Sequence, residues 1–140
     1  MIKLKPWGSE IWFAHTDKYA GKILKIKKGH RYSLQYHEKN EETQYIYKGK
    51  VKLTYGTDQA NLQDKILKAG DKIDIHPYTI HRLEAIQDSE VFEVSTTELD
   101  DVVKLHDDYG RKGKGNDEKS DKKIHQNNFS YNRHTAKRSV

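Results

Sequence analysis

The chain has 140 residues, with 26 Lys and Arg against 21 Asp and Glu for a formal net charge of +5, and it contains no cysteine. That length suits one domain with a modest core, and the lack of thiols excludes disulfides, thiolate metal sites and a cysteine nucleophile. No apolar run is long enough to cross a bilayer and the opening MIKLKPWG has no signal-peptide core, so a soluble cytoplasmic protein with no membrane partner is expected.

The charge is unevenly distributed. Residues 112–140 carry eight Lys or Arg against three Asp or Glu, whereas residues 1–111 carry 18 of each. The basic excess therefore belongs to a tail, and no specific nucleic-acid partner is expected for the body. The tail is rich in Lys, Asn, Gly and Ser without aliphatic spacing, so it is expected to be a disordered extension (112–140) behind a single domain (1–111).

Along the body, short β-branched and aromatic runs follow one another: KILKIKK (22–28), RYSLQYH (31–37), TQYIY (43–47), KVKLTYG (50–56), DKIDIH (71–76), HRLEAI (81–86) and EVFEVST (90–96). Turn signals such as YKG, KAGD and IHPY separate them. No amphipathic helix is evident before residue 98, and DDVVKL reads as a last strand or turn. The class is all-β, a sandwich, jelly roll or small barrel. Trp7, Trp12 and Phe13 near the start provide apolar surface that a two-fold homodimer would cover.

Within GHRYSLQYHEKNEETQYIYKG (29–49), strand parity puts Arg31, Ser33, Gln35 and His37 on one side, and the turn that follows can bring Glu42 to the same interior. His81, in GDKIDIHPYTIHRLEA, supplies a fourth candidate ligand. Imidazole, carboxylate and amide oxygen suit a divalent transition metal, zinc first, with iron, manganese or nickel as alternatives. On EVFEVST, Val91, Glu93 and Ser95 share a face, which makes Glu93 a candidate inward base. Lys22, Arg31 or Arg111 could neutralise a phosphate, and Arg82 and Ser33 are further candidates for its contacts. His30, His76 and His106 lack matching partners and read as structural or solvent-facing.

The spacing Gly29-x5-Gln35-x-His37-x4-Glu42-x6-Gly49, then Gly70-x5-His76-x-Tyr78-x2-His81, resembles the two signature motifs of the cupin superfamily, with Gln in place of the first metal-binding His. KPWG (5–8), Gly70-Asp71, His81-Arg82-Leu83-Glu84 and KLHDDYGR (104–111) extend the resemblance to the cupin domain of type II mannose-6-phosphate isomerases. The resemblance implies a jelly-roll barrel with one divalent metal on Gln35, His37, Glu42 and His81. It also implies an isomerase that interconverts mannose 6-phosphate and fructose 6-phosphate through an enediol, with Glu93 and Arg111 as catalytic candidates and Arg31, Ser33, Arg82 and Lys22 around the phosphorylated hexose. Asn40 and Gln44 stand where that family has Arg and Trp. A stand-alone domain is expected, and a different cupin enzyme or a non-catalytic sugar- or metal-binding cupin is the alternative.

Overall fold

The computed structural model describes residues 1–129. In chain order the strands are β1 (Ile2–Lys5), β2 (Gly8–His15), β3 (Ala20–Ile26), β4 (Leu34–Tyr36), β5 (Glu42–Lys48), β6 (Lys50–Gly56), β7 (Gln63–Lys68), β8 (Lys72–Ile75), β9 (Ile80–Ala85), β10 (Ser89–Ser95), β11 (Val103–His106) and β12 (Gly113–Lys114), followed by helix α1 (Glu118–Phe129). They form two six-stranded antiparallel sheets, ordered β1-β2-β3-β10-β5-β8 and β12-β11-β4-β9-β6-β7. This is the expected jelly roll: β3 sits beside β10, and β4 lies between β11 and β9, so strands far apart in sequence become neighbours. No described helix is long and apolar enough to cross a membrane.

Period-two burial drives the assembly. On β3, Lys22, Leu24 and Ile26 are buried while Lys25 is exposed; on β5, Glu42, Gln44 and Ile46 are buried while Tyr45 and Tyr47 are exposed. Each of several strands changes chemistry partway along its inner face. Lys22 gives way to Leu24 and Ile26, Gln44 to Ile46, His81 to Leu83 and Ala85, and Glu93 to Val91. One end of the barrel is thus an apolar core that also includes Trp7, Tyr32, Val51, Leu53 and Leu67, and the other end is polar.

Two local devices hold the register. In the β10–β5 pairing, Glu90 stands opposite Lys48 and Val91 opposite Ile46, so Tyr47 is an extra residue at a bulge. It stacks on Phe92 with ring centroids 4.8 Å apart. Gly49, at φ 93°, follows, and a Cβ there would come within 2.5 Å of the Asp88 carbonyl oxygen, so only glycine fits the turn into β6.

The expected strands are present, and β1, β2 and β7 join them. Trp7 is a correction: it lies in the core, 3% exposed, and cannot contribute to a dimer surface. The tail is a second correction. Beyond Arg111 the chain adds β12 to the second sheet and then forms α1, which lies against β1 through Lys3–Glu118 (2.9 Å) and Lys5–Asp121 (3.0 Å) ion pairs. His125 donates to the Lys5 carbonyl and Asn128 to the Pro6 carbonyl, each at 2.8 Å. Sequence periodicity could not reveal this helix because its adhesion is polar: Asp121 is its one buried residue. The expectation of disorder for residues 130–140 lies outside the described residues.

Candidate metal centre and its cavity

β4 and β9 place Gln35 opposite His81, and Glu42 opens β5 in the facing sheet. His37 follows the end of β4. His37 Nε2 lies 3.1 Å and His81 Nε2 3.3 Å from the same oxygen, Glu42 Oε1, and all three side chains are buried. Their ligand atoms fall within 4.8 Å of one another.

The ring orientations are fixed from behind. His37 Nδ1 donates to the Asp101 carbonyl at 2.5 Å and His81 Nδ1 to the Thr79 carbonyl at 2.9 Å. A carbonyl can only accept, so each Nδ1 carries a proton and each ring turns its Nε2 toward Glu42. His81 Nε2 is buried with no hydrogen bond at all. A buried ring nitrogen left without a partner beside a carboxylate oxygen is costly, and a cation shared by the two imidazoles and Glu42 would satisfy it. The donor set therefore fits a divalent transition metal. Without an ion the electrostatics point the same way. Burial would raise the Glu42 pKa, but the His37 hydrogen bond and the charge of His37 and His81 beside it hold it well below the usual carboxylate range. Burial works against charge on His37, yet Glu42 and the Asp101 carbonyl keep its pKa above the ordinary histidine value.

Gln35 lines the same cavity, where its amide oxygen accepts from Ser33 Oγ at 2.6 Å. The cavity is about 60 Å³, room for roughly four waters. Glu93 points into it, as strand parity predicts, and accepts from Gln44 Nε2 at 2.9 Å. Burial and then the charge of Glu42 push the Glu93 pKa well up. Lys22 also lines the cavity and pairs with Glu10 at 3.4 Å, while Trp12 Nε1 donates to the same Glu10 oxygen at 2.9 Å.

Other sequence-derived candidates lie elsewhere. Arg31 is bound to Asp108 at 2.7 and 2.8 Å and to Glu84 at 3.4 Å, and does not line the cavity. Arg82 donates to the carbonyls of Tyr32 and His106. It falls between the inward-facing His81 and Leu83, so parity sends its guanidinium to the opposite face. Neither arginine reaches the cavity, which corrects their assignment as substrate contacts. Ser33 is fully buried and serves Gln35. Arg111 does line the cavity, but Asp107 engages it at 2.8 and 3.2 Å and Asp121 at 3.3 Å.

Sequence reasoning missed Lys5, Glu10, Lys104 and Asp101. Lys104 stands opposite Gln35 on β11 and donates to the Gly115 carbonyl; burial and then repulsion from Arg111 push its pKa down. These residues belong to strands and loops that meet only through sheet order, and no spacing rule announces them.

The sequence family described as "Mannose-6-phosphate isomerase C-terminal" matches residues 2–107. The chain belongs to this family. No curated protein sequence matches it. Among solved structures, this chain is similar to KdgF from Halomonas sp., with a TM-score of 0.57 and 18% identity over 66% of this chain and 82% of that one. It is also similar to CapF (TM-score 0.63, 17% identity, 76% and 34% covered) and to oxalate decarboxylase from Bacillus subtilis (0.64, 16%, 75% and 30%). The chain spans about a third of each of those two larger proteins. An RmlC-like cupin from Shewanella frigidimarina matches with a TM-score of 0.61 at 12% identity, covering 71% of this chain and 85% of that one. At these identities the likeness is one of fold, the cupin jelly roll.

Proposed function

We propose that this domain is a soluble cytoplasmic aldose-ketose isomerase acting on a phosphorylated hexose, with mannose 6-phosphate and fructose 6-phosphate as the pair. The observation that carries this reading is Glu93: a buried carboxyl group directed into the same small cavity as His37 and Glu42, with the buried His81 ring beside Glu42, in a chain whose family match covers residues 2–107. Those three residues, with Gln35 alongside, would hold one divalent ion, zinc being the first choice for this donor set. When bound, such an ion polarises the sugar oxygens and favours the enediol form.

The remaining steps belong to side chains. Glu93 takes the proton from C2 and delivers it to C1 while a hydroxyl proton passes from O2 to O1, so the reaction needs no outside oxidant or reductant. Gln44 orients Glu93 by donating to it. Lys22 and Arg111, both on the cavity wall, favour an anionic substrate. Loading the protein with zinc and following mannose 6-phosphate in a coupled assay tests the reading, and no conversion would remove it. The second reading, a cupin that acts on another small ligand or only binds a sugar or metal, is favoured by Asn40 and Gln44. Asn40 holds the Thr96 and Glu98 carbonyls at 3.1 and 3.2 Å, so the position where the isomerases have Arg is committed to a loop.

A homodimer belongs to the same proposal. Its apolar surface is the outer face of the first sheet, where Phe13, Tyr45, Tyr47 and Val94 are exposed. Light scattering that gives a monomer at every concentration would remove the dimer.

A further inference from the structure

Lys5, Lys104 and Arg111 come from β1, β11 and the segment after it, and all three border one side of the cavity. Against Lys5 and Arg111 lies α1, which is beyond the 2–107 family match. The helix brings one buried side chain, the carboxylate of Asp121, 1% exposed. Asp121 Oδ2 takes Lys5 Nζ at 3.0 Å and Oδ1 takes Arg111 Nη1 at 3.3 Å. Asp107 already accounts for the other face of Arg111, so Nη1 is the nitrogen turned to Asp121. The Lys104 ammonium bonds only to a backbone carbonyl. Among the described residues it is the cation of this cluster that lacks a carboxylate within ion-pair distance.

The helix walls the second space beyond this cluster through Glu118 and Asp121 and adds no lining to the inner cavity. Its sequence EKSDKKIHQNNF fully buries no aliphatic side chain, and it docks through ion pairs and hydrogen bonds, with one aromatic contact at its end, Phe129 on His30 at 4.9 Å between ring centroids. Contacts of that kind are screened by salt and yield to a competing anion, whereas an apolar seam would not. A second hollow of about 330 Å³ lies on the far side of the Lys5–Asp121 pair, lined by Trp12, Asp121 and Glu118. Lys5, Leu99 and Asn116 are walls of both spaces, so this pair stands in the partition between them. The inner cavity, at about 60 Å³, has room for roughly four waters, and the second hollow is several times larger.

We propose that α1 is a displaceable plug whose Asp121 carboxylate occupies a phosphoryl-binding subsite made by Lys5, Lys104 and Arg111, and that a phosphorylated ligand opens the cavity by replacing it. The identity of that ligand as a sugar phosphate rests on the isomerase reading; the subsite does not. A phosphoryl group meets both lysines and the free Arg111 nitrogen with more acceptor oxygens and more charge than one carboxylate supplies.

The test uses the full chain and inorganic phosphate. Hydrogen exchange of the α1 amides is followed during a phosphate titration, with chloride at matched ionic strength as the control. The expected result is faster exchange over residues 118–129 with phosphate and not with chloride. Asp121→Asn, checked for fold by circular dichroism, should bind phosphate about tenfold more tightly, because the internal competitor no longer lowers the fraction of open protein. Lys104→Met should abolish the phosphate effect. Unchanged exchange in phosphate, an equal response to chloride, or no tightening in a folded Asp121→Asn would each overturn the proposal. If Asp121→Asn does not fold, the titration of the unaltered protein decides. Release of α1 by phosphate without turnover of mannose 6-phosphate would keep the plug and discard the isomerase.

Discussion

Asp101 holds His37 from two directions. Its carbonyl accepts from His37 Nδ1 at 2.5 Å, while its carboxylate accepts the backbone N–H groups of Glu38, Lys39 and Asn40 at 3.1, 2.7 and 2.8 Å. The loop after β4 and the ring it carries are thereby fixed by one residue. Asp101→Ala keeps the carbonyl but frees the loop, and metal affinity, measured by competition with a chelator, should fall about 10- to 100-fold, the scale for partners behind a ligand. Unaltered affinity would mean the loop holds itself.

Metal content follows from the convergence on Glu42. Purified protein should carry about one divalent ion per chain by elemental analysis, and His37→Ala or His81→Ala should empty the site, since Glu42, one imidazole and the weak Gln35 amide are too few. A free-ion concentration 100 times the dissociation constant should stabilise the fold by about 2.7 kcal/mol. Full occupancy in both variants would refute the assignment.

Glu93→Gln preserves size and removes the proton acceptor. It should retain metal and melting temperature yet lower turnover about 100-fold or more. Wild-type turnover would eliminate Glu93 as the base.

The Glu10–Lys22 pair gives a pH dependence whose sign can be worked out. Burial opposes charge on both, but Lys22 and Lys5 hold the Glu10 pKa below the ordinary carboxylate value, and Glu10, Glu93 and Glu42 hold the Lys22 pKa above the ordinary lysine value. A depressed carboxyl pKa contributes stability above its unfolded value of about 4.3 that is lost as pH falls through the folded one. A raised lysine pKa contributes stability below about 10.4 that is lost as pH rises through the folded one. Glu10→Gln should therefore cost about 3 kcal/mol at pH 7, the scale for orphaning one partner of a buried pair. In denaturant titrations the gap between wild type and variant should close below pH 4. A gap independent of pH would point to lost packing instead.

What the sequence disclosed was what strand geometry carries along one segment. Gln35, His37 and Glu42 lie within eight residues of one hairpin, and His81 comes with a second motif of its own, so period two and spacing were enough. Glu93 obeyed parity because its strand is regular from Val91 to Ser95. Arg82 was misread because charge type was weighed above parity: it alternates with His81 and so must face away from it. Arg31 was misread because parity was run back past Leu34, where β4 begins. Lys5 and Lys104 were illegible because β1 and β11 meet the cavity only through the order of the finished sheets. Asp121 was hidden for a different reason. A helix that docks through a carboxylate has the composition of a solvated tail.

The unpaired Tyr47 has a consequence for how this domain tolerates change. β5 carries a cavity acid, Glu42, at one end and a core isoleucine, Ile46, at the other, and the extra residue adjusts the phase of the chain before Gly49 leads it into the opposite sheet. Replacing Tyr47 alters only an exposed ring on Phe92. Removing it shifts the phase of everything downstream, so Val51 and Leu53 would turn outward unless β5 rotated instead and carried Glu42 out of the site. Length variation among natural relatives should accordingly avoid the stretch from Glu42 to Leu53, however freely its outward-facing residues are exchanged.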